Sequence, residues 1–142
     1  MTQLCDIYQQ MHEEGTVMIA RYKPLPCEAD AAVIDLGGQY GIFYDLSKLD
    51  TLAKEKSAAF HEWAHLHTGA MYRAGATASV IQRAEHRARI AQIRKMLPAE
   101  ELRAAMEYGH TTVWELAEYF SVPEDDIRDA IEYYTCNCGI EF

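Results

Sequence analysis

The chain has 142 residues, of which 49% are hydrophobic and 25% are charged, a balance typical of a globular domain and not of a disordered or fibrous protein. Thirteen Lys and Arg stand against 22 Asp and Glu, and the resulting net charge of −9 disfavours nonspecific binding to nucleic-acid phosphates. The first residues lack the basic start and apolar run of a signal peptide, and no apolar stretch is long enough to span a membrane. The four cysteines follow no disulfide framework. We therefore expect a cytoplasmic protein with reduced thiols.

The first third of the chain predicts a short helix followed by a small, mostly antiparallel sheet. A polar helical segment covers 2–14 and ends at Gly15. Segments rich in β-branched and aromatic residues then predict three strands, at 16–22, 31–36 and 40–46. Gly37 and Gly38 separate the last two segments, which indicates a hairpin.

From about residue 50 onward the apolar residues recur with helical spacing. The predicted helices cover 51–67, 77–97 and 99–108, followed by two shorter helices that begin at capping boxes, Thr112 with Glu115 and Ser121 with Glu124. The buried stripe predicted for the first helix consists of Leu52, the stem of Lys56, Ala59, Phe60 and Trp63. The segment 83–95 is basic and 107–141 is acidic, which indicates solvated faces that attract one another within the fold.

The strongest chemical pattern is His61-Glu62-Trp63-Ala64-His65, an H-E-x-x-H motif. Residues i and i+4 lie on one face of a helix, so both imidazoles can approach one metal ion. Glu62 is adjacent to a ligand without occupying a ligand position. Zinc lowers the pKa of bound water towards 7, and a carboxylate at this place can accept the proton of that water. The alternative is an amphipathic helix with two exposed histidines.

A catalytic zinc site needs a third protein ligand, and Glu85 is the candidate. It lies beside the predicted apolar stripe of helix 77–97, where an ionised carboxylate without a partner is costly and a metal ion would satisfy it. The alternative is a Glu at the edge of the stripe that pairs with Arg89 at i+4.

Other polar residues are weaker candidates. His86 points about 100° away from Glu85 around the helix. His67 is predicted to be a partner of the helix dipole or a core residue. Tyr72 and His110 are possible donors to an oxyanion. Two of the cysteines, Cys136 and Cys138, form a C-x-C without a second pair, which favours a flexible, reduced tail.

From about Gly41 to Tyr134 the sequence resembles the ImmA/IrrE family of zinc metallopeptidases, many of which are encoded by phages and mobile elements of bacteria. The resemblance is carried by the segment that ends in the H-E-x-x-H motif, by Thr68-Gly69, and by Glu85-x-x-Ala88 in a helix that ends at Leu97-Pro98. The C-terminal segment TVWELAEYFSVPEDDIRDAIEYY extends it. Two departures concern the substrate cleft: Trp63-Ala64 stands where many relatives have Leu-Gly, and Ala91 stands where a large aromatic residue is usual.

The resemblance implies an α+β fold in which the N-terminal sheet packs on a zincin-like helical core. This core is expected to cover 1–98, followed by a helix-turn-helix-like segment, 99–135, that packs on it, and a tail, 136–142. The resemblance implies one zinc ion per chain with His61, His65 and Glu85 as ligands and Glu62 as the catalytic base, the same four residues that the spacing indicates.

The resemblance further implies limited proteolysis of one regulatory protein, a helix-turn-helix transcriptional repressor of a phage or mobile element. The sheet could hold such a substrate by strand addition at an exposed edge. The alternative is a non-catalytic anti-repressor that sequesters the repressor through its acidic C-terminal helices. Direct DNA binding by 112–134 is disfavoured because seven acidic residues there face one basic residue, Arg128.

Overall fold

The computed structural model describes residues 1–142 and shows an α+β chain with six α-helices and one three-stranded sheet. The elements in chain order are α1 (Leu4–Glu13), β1 (Thr16–Tyr22), β2 (Ala31–Asp35), β3 (Tyr40–Asp45), α2 (Leu52–Thr68), α3 (Ala78–Met96), α4 (Ala99–Glu107), α5 (Val113–Phe120), α6 (Glu124–Glu132) and a π-helical turn (Tyr133–Asn137). Each predicted helix and strand is present within a few residues of its expected bounds. None of the helices combines the length and apolar character needed to cross a membrane.

The sheet is mixed, with strand order β1-β3-β2, and the prediction of a mostly antiparallel sheet is wrong in this respect. β2 and β3 form the expected antiparallel hairpin, in which the Asp35 carboxylate accepts the backbone N–H groups of Gly37 and Gly38. β1 pairs with β3 in parallel. The connection 23–30 joins β1 to the outer strand β2, and β3 lies between them. The open edge of β2 is consequently left free on the side of α2.

Helix α2 carries the H-E-x-x-H motif and is held at both ends by local capping. The Thr51 hydroxyl accepts the backbone N–H of Lys54, and Gly69 ends the helix with a φ of 63°, a left-handed conformation that glycine adopts at little cost. The predicted stripe is buried except for Leu52, which is 75% exposed. Thr51, Leu52 and Lys54 are all exposed because the first turn of α2 lies beyond the core.

One hydrophobic core joins the sheet to every α-helix. Phe120 and Ile127 of the C-terminal segment belong to the same cluster as Ile42 and Phe60, so the segment 99–135 packs on the rest of the chain. The buried ammonium group of Lys56 donates to the Phe120 carbonyl at 2.7 Å, which gives this charged group a partner between α2 and α5.

The expected attraction between the basic and acidic segments occurs at Arg89. Its guanidinium forms ion pairs with Asp126 and Asp129 of α6. By contrast, the acidic Glu124 and Asp125 pair locally with Arg128 on α6 itself. One basic residue of α3 therefore joins the two segments.

The two predicted capping boxes have different outcomes. Thr112 and Glu115 form theirs, with the Glu115 N–H donating to the Thr112 hydroxyl at 3.2 Å and the Thr112 N–H donating to the Glu115 carboxylate at 2.9 Å. The box predicted at Ser121 is absent, because Ser121 ends α5 with a φ of 54° and α6 begins after Pro123 without a side-chain cap. The short α5–α6 connection requires a left-handed residue where the pattern suggested an N-cap.

This difference leads to opposite expected effects on stability. Thr112→Ala should lower the free energy of unfolding by about 1 kcal/mol, because the α5 cap is lost. Ser121→Gly should raise the free energy of unfolding by about 0.5–1 kcal/mol. Glycine avoids the roughly 1–2 kcal/mol that other residues need for a left-handed conformation, but the greater entropy of its unfolded chain offsets part of this gain. Urea unfolding of the metal-free protein, followed by circular dichroism, measures both. A loss of stability in Ser121→Gly would contradict the assigned conformation.

Candidate metal centre

Helices α2 and α3 bring three potential metal ligands together. His61 and His65 lie one turn apart on α2, with their Nε2 atoms 3.1 Å from each other. Glu85 of α3 places Oε2 3.0 Å from His61 Nε2 and Oε1 3.4 Å from His65 Nε2. One ligand atom from each residue lies within 4.8 Å of the others, so this group could hold a metal ion.

The alternatives that the sequence left open do not match this geometry. His65 is 6% exposed, so the pair is not two exposed histidines on a solvated helix. Glu85 does not pair with Arg89, whose guanidinium contacts Asp126 and Asp129 instead. Glu85 is therefore free to face the two imidazoles.

The second nitrogen of each imidazole determines which tautomer the ring adopts. His65 Nδ1 lies 2.8 Å from the Ala70 carbonyl, which only accepts, so the hydrogen-bond partner assigns a proton to Nδ1. His61 Nδ1 lies 3.2 Å from Gln92 Oε1 and is assigned a proton in the same way. With each Nδ1 assigned to an acceptor, the two Nε2 atoms face each other and a carboxylate, an arrangement that a cation between them would stabilise. This donor set fits a divalent metal ion.

Burial controls the protonation of the residues around the cluster. It lowers the pKa of His61, and the nearby His65 lowers that pKa further. Burial raises the pKa of Glu85, but this effect is outweighed by the Tyr72 hydroxyl and the two histidines, so the net pKa of Glu85 is lowered. A neutral His61 imidazole and an ionised Glu85 carboxylate are the forms that bind metal.

Glu62 lines one cleft together with the three potential ligands, but it does not belong to the ligand cluster. It is 6% exposed, and burial raises its pKa to about 8, with the negative charge of Glu85 contributing and the backbone N–H of Val33 opposing. Its carboxyl group is thus poised to exchange a proton near neutral pH. This is the environment expected of a general base or acid.

Tyr72, one of the two predicted donors, lies at the cluster. Its hydroxyl donates to Glu85 Oε1 at 2.8 Å, and its ring meets that of His65 edge to face, with centroids 6.3 Å apart. Burial and the hydrogen bond to Glu85 raise the pKa of Tyr72 to about 12. The phenol therefore keeps its proton at neutral pH and remains a donor.

The structure does not bring the other predicted donor, His110, to the cluster. Its ring packs against Tyr119, with centroids 4.6 Å apart, and does not line the cleft. His67 is exposed and stacks on Trp63 of the same helix, so it is not a core residue. His86 is also exposed. The four cysteines are free and exposed, as expected of reduced thiols.

A cleft of about 770 Å³ opens over the cluster and runs along the outer strand β2. The backbone hydrogen bonds that define the β2–β3 ladder at its ends pair Leu36 with Gln39 and Asp45 with Asp30. By the alternation of an antiparallel ladder, the backbone groups of Ala31 and Val33 point to the open edge. The cleft therefore has one wall whose backbone donors and acceptors are not used by the sheet, and the Val33 N–H on this wall is hydrogen-bonded to Glu62.

Sequence reasoning missed one residue at this site, Gln92. It follows Ala88 by four residues and Glu85 by seven, so it lies on the face of α3 that also carries Glu85. The sequence did contain one signal for Gln92, because a polar residue stands there at a position where helical spacing predicts a buried side chain. Gln92 is 1% exposed and contacts His61.

Comparison of the chain with family models, curated proteins and solved structures gives no match. The resemblance to the ImmA/IrrE family consequently rests on the sequence motifs alone.

Proposed function

We propose that this protein is a zinc-dependent metalloendopeptidase. The observation that carries the proposal is the convergence of His61, His65 and Glu85, with the buried carboxyl group of Glu62 in the same cleft. Two histidines and a glutamate are a common ligand set of catalytic zinc, whereas structural zinc sites use four protein ligands and no adjacent base. A second carboxyl group, that of Glu62, beside a three-ligand cluster favours catalysis over a structural role.

Each residue then has a defined task. When bound, zinc supplies Lewis acidity, polarising a substrate carbonyl and lowering the pKa of a water molecule. The Glu62 carboxylate accepts a proton from the attacking water and later donates it to the nitrogen of the departing amine. The Tyr72 hydroxyl donates to Glu85 Oε1 in the structure. From this position beside the cluster it could instead donate its proton in a hydrogen bond to the substrate carbonyl oxygen, which becomes negatively charged during the attack.

The free edge of β2 supports an extended peptide as the substrate. The outward backbone groups of Ala31 and the Val33 carbonyl can pair with a peptide strand laid along the cleft, which would hold that strand across the metal cluster. Strand addition selects an unfolded or loosely held segment, since folded chains already satisfy their backbone hydrogen bonds. This favours a limited cut over general digestion.

As the substrate we propose a helix-turn-helix transcriptional repressor, on the basis of the family resemblance. The acidic surface of the C-terminal segment is compatible with a basic partner such as a DNA-binding protein. The same surface makes direct binding to DNA unfavourable.

The proposal is tested with a proteome-derived peptide library incubated with the 142-residue protein and analysed by mass spectrometry. We expect new peptide termini when zinc is present and none after treatment with a chelator. Readdition of zinc should restore cleavage. A zinc-loaded protein that produces no cleavage in this library, nor in a helix-turn-helix repressor that it binds, would instead support the non-catalytic anti-repressor.

A further inference from the structure

The amide of Gln92 contacts the predicted metal ligand His61 at Nδ1, while Nε2 of the same ring faces Glu85. We propose that Gln92 is a positioning residue that orients His61 for metal binding, with its own orientation set by Arg89 and Ser57. The inference rests on the metal centre of the proposed function, and it concerns metal affinity and not the cleavage step itself.

Every hydrogen-bonding position of the Gln92 amide is used. Its Nε2 donates to the Ser57 carbonyl at 2.9 Å and to the Ser57 hydroxyl at 3.2 Å. Its Oε1 lies 2.9 Å from Arg89 Nη1, which donates to it, and 3.2 Å from His61 Nδ1. A flipped amide would direct its NH₂ group at the Arg89 guanidinium, so only one orientation satisfies these neighbours.

This orientation determines which nitrogen of His61 is available. Arg89 and Ser57 together keep Oε1 towards His61, where the oxygen can only accept. The proton of neutral His61 is thereby held on Nδ1, and the Nε2 lone pair faces Glu85 and His65. Partners of this kind fix the rotation and tautomer of ligating histidines, and their loss typically weakens metal binding about 10–100-fold.

Arg89 extends the contact to the C-terminal helices. Its Nη2 lies 2.8 Å from Asp126 Oδ1 and also pairs with Asp129, both on α6. Asp126 is 5% exposed, so this pair is shielded from solvent on the aspartate side. The position of α6 thus fixes Arg89, which in turn fixes the amide that contacts His61.

The test compares zinc affinities of the 142-residue wild type, Gln92→Leu and Gln92→Glu by competition with a chromophoric chelator. Gln92→Leu removes the acceptor at nearly unchanged volume, and its affinity should fall about 10–100-fold. Gln92→Glu keeps an acceptor for His61 Nδ1 and gains an ion pair with Arg89, but it sets a carboxylate oxygen against the Ser57 carbonyl, so its affinity should fall less than that of Gln92→Leu. Gln82→Leu, an exposed glutamine on the same helix, is the matched control and should bind zinc like the wild type.

A second measurement does not depend on how well the variants fold. In zinc-loaded wild type, the imidazole ¹H–¹⁵N spectrum should show His61 protonated at Nδ1 and metal-bound at Nε2. Metal on Nδ1, or a Gln92→Leu affinity equal to that of the wild type, would overturn the role of Gln92 and leave the peptidase proposal intact. Conversely, a wild type that binds zinc but cleaves nothing would overturn the peptidase proposal without touching this inference.

Discussion

Glu62→Gln is expected to lower the rate of peptide cleavage by about 10²–10⁴-fold while zinc stays bound, because the amide cannot accept the proton of the attacking water. Glutamine has nearly the volume of glutamate, so the buried site keeps its packing. Burial already raises the pKa of Glu62, so the neutral amide also replaces a group that is costly to ionise in the metal-free protein. The fold should therefore be at least as stable as that of the wild type.

Cleavage is measured with zinc-loaded protein on the peptides that the wild type cuts. Glu118→Gln, at an exposed position of α5, is the matched control and should retain full activity. Wild-type rates in Glu62→Gln would assign the base to another residue. Loss of zinc from this variant would show that Glu62 is a ligand, contrary to its separation from the cluster. A partner that still binds to Glu62→Gln without being cut would separate recognition from catalysis.

Removal of a single ligand should have the second large effect, on metal content. After equilibration with zinc and desalting, we expect about one zinc ion per chain in the wild type and far less in His65→Ala and Glu85→Ala. Each variant leaves two ligands where catalytic zinc sites use three, so the loss of affinity should exceed the roughly 10–100-fold that follows loss of an outer hydrogen-bond partner. Elemental analysis of the desalted proteins measures the stoichiometry.

The chain offers matched controls for both ligand variants. His67→Ala changes a histidine two residues from His65, and His86→Ala changes the neighbour of Glu85, but both side chains are exposed and lie outside the cluster. Both should keep the wild-type zinc content. Zinc at about 100 times its Kd should also raise the free energy of unfolding of the wild type and these controls by about 2.7 kcal/mol. A wild type without stoichiometric metal would contradict the enzyme proposal.

The local elements were predictable because their determinants are neighbours in sequence. Helical spacing located α2 and α3, and the glycines after Asp35 located the hairpin. The spacing of His61 and His65 alone places both imidazoles on one face of a helix. The position of Glu85 could be predicted because an acidic residue on an apolar face needs a partner. The sequence named the histidine pair as the partner through a shared metal ion and left pairing with Arg89 open, and only the packing of α3 distinguishes the two.

The remaining features depend on contacts between residues that are far apart in sequence. Strand order was not predictable, since the composition of β1 is the same whether it pairs with β2 or with β3. Tyr72 and His110 were equivalent candidates until the loop after α2 brought only the first to Glu85.

The sequence by itself determined the helices, the hairpin and the spacing of the candidate ligands, because side-chain periodicity and turn chemistry act over a few residues. Only the tertiary structure decided which groups meet. The packing of α3 on α2 pairs Glu85 with the histidines and places Gln92 against His61, while α6 draws Arg89 away from Glu85. These pairings arise because the helices pack on one shared core. That packing fixes the distances between side chains that are far apart in sequence, and local sequence patterns do not predict such distances.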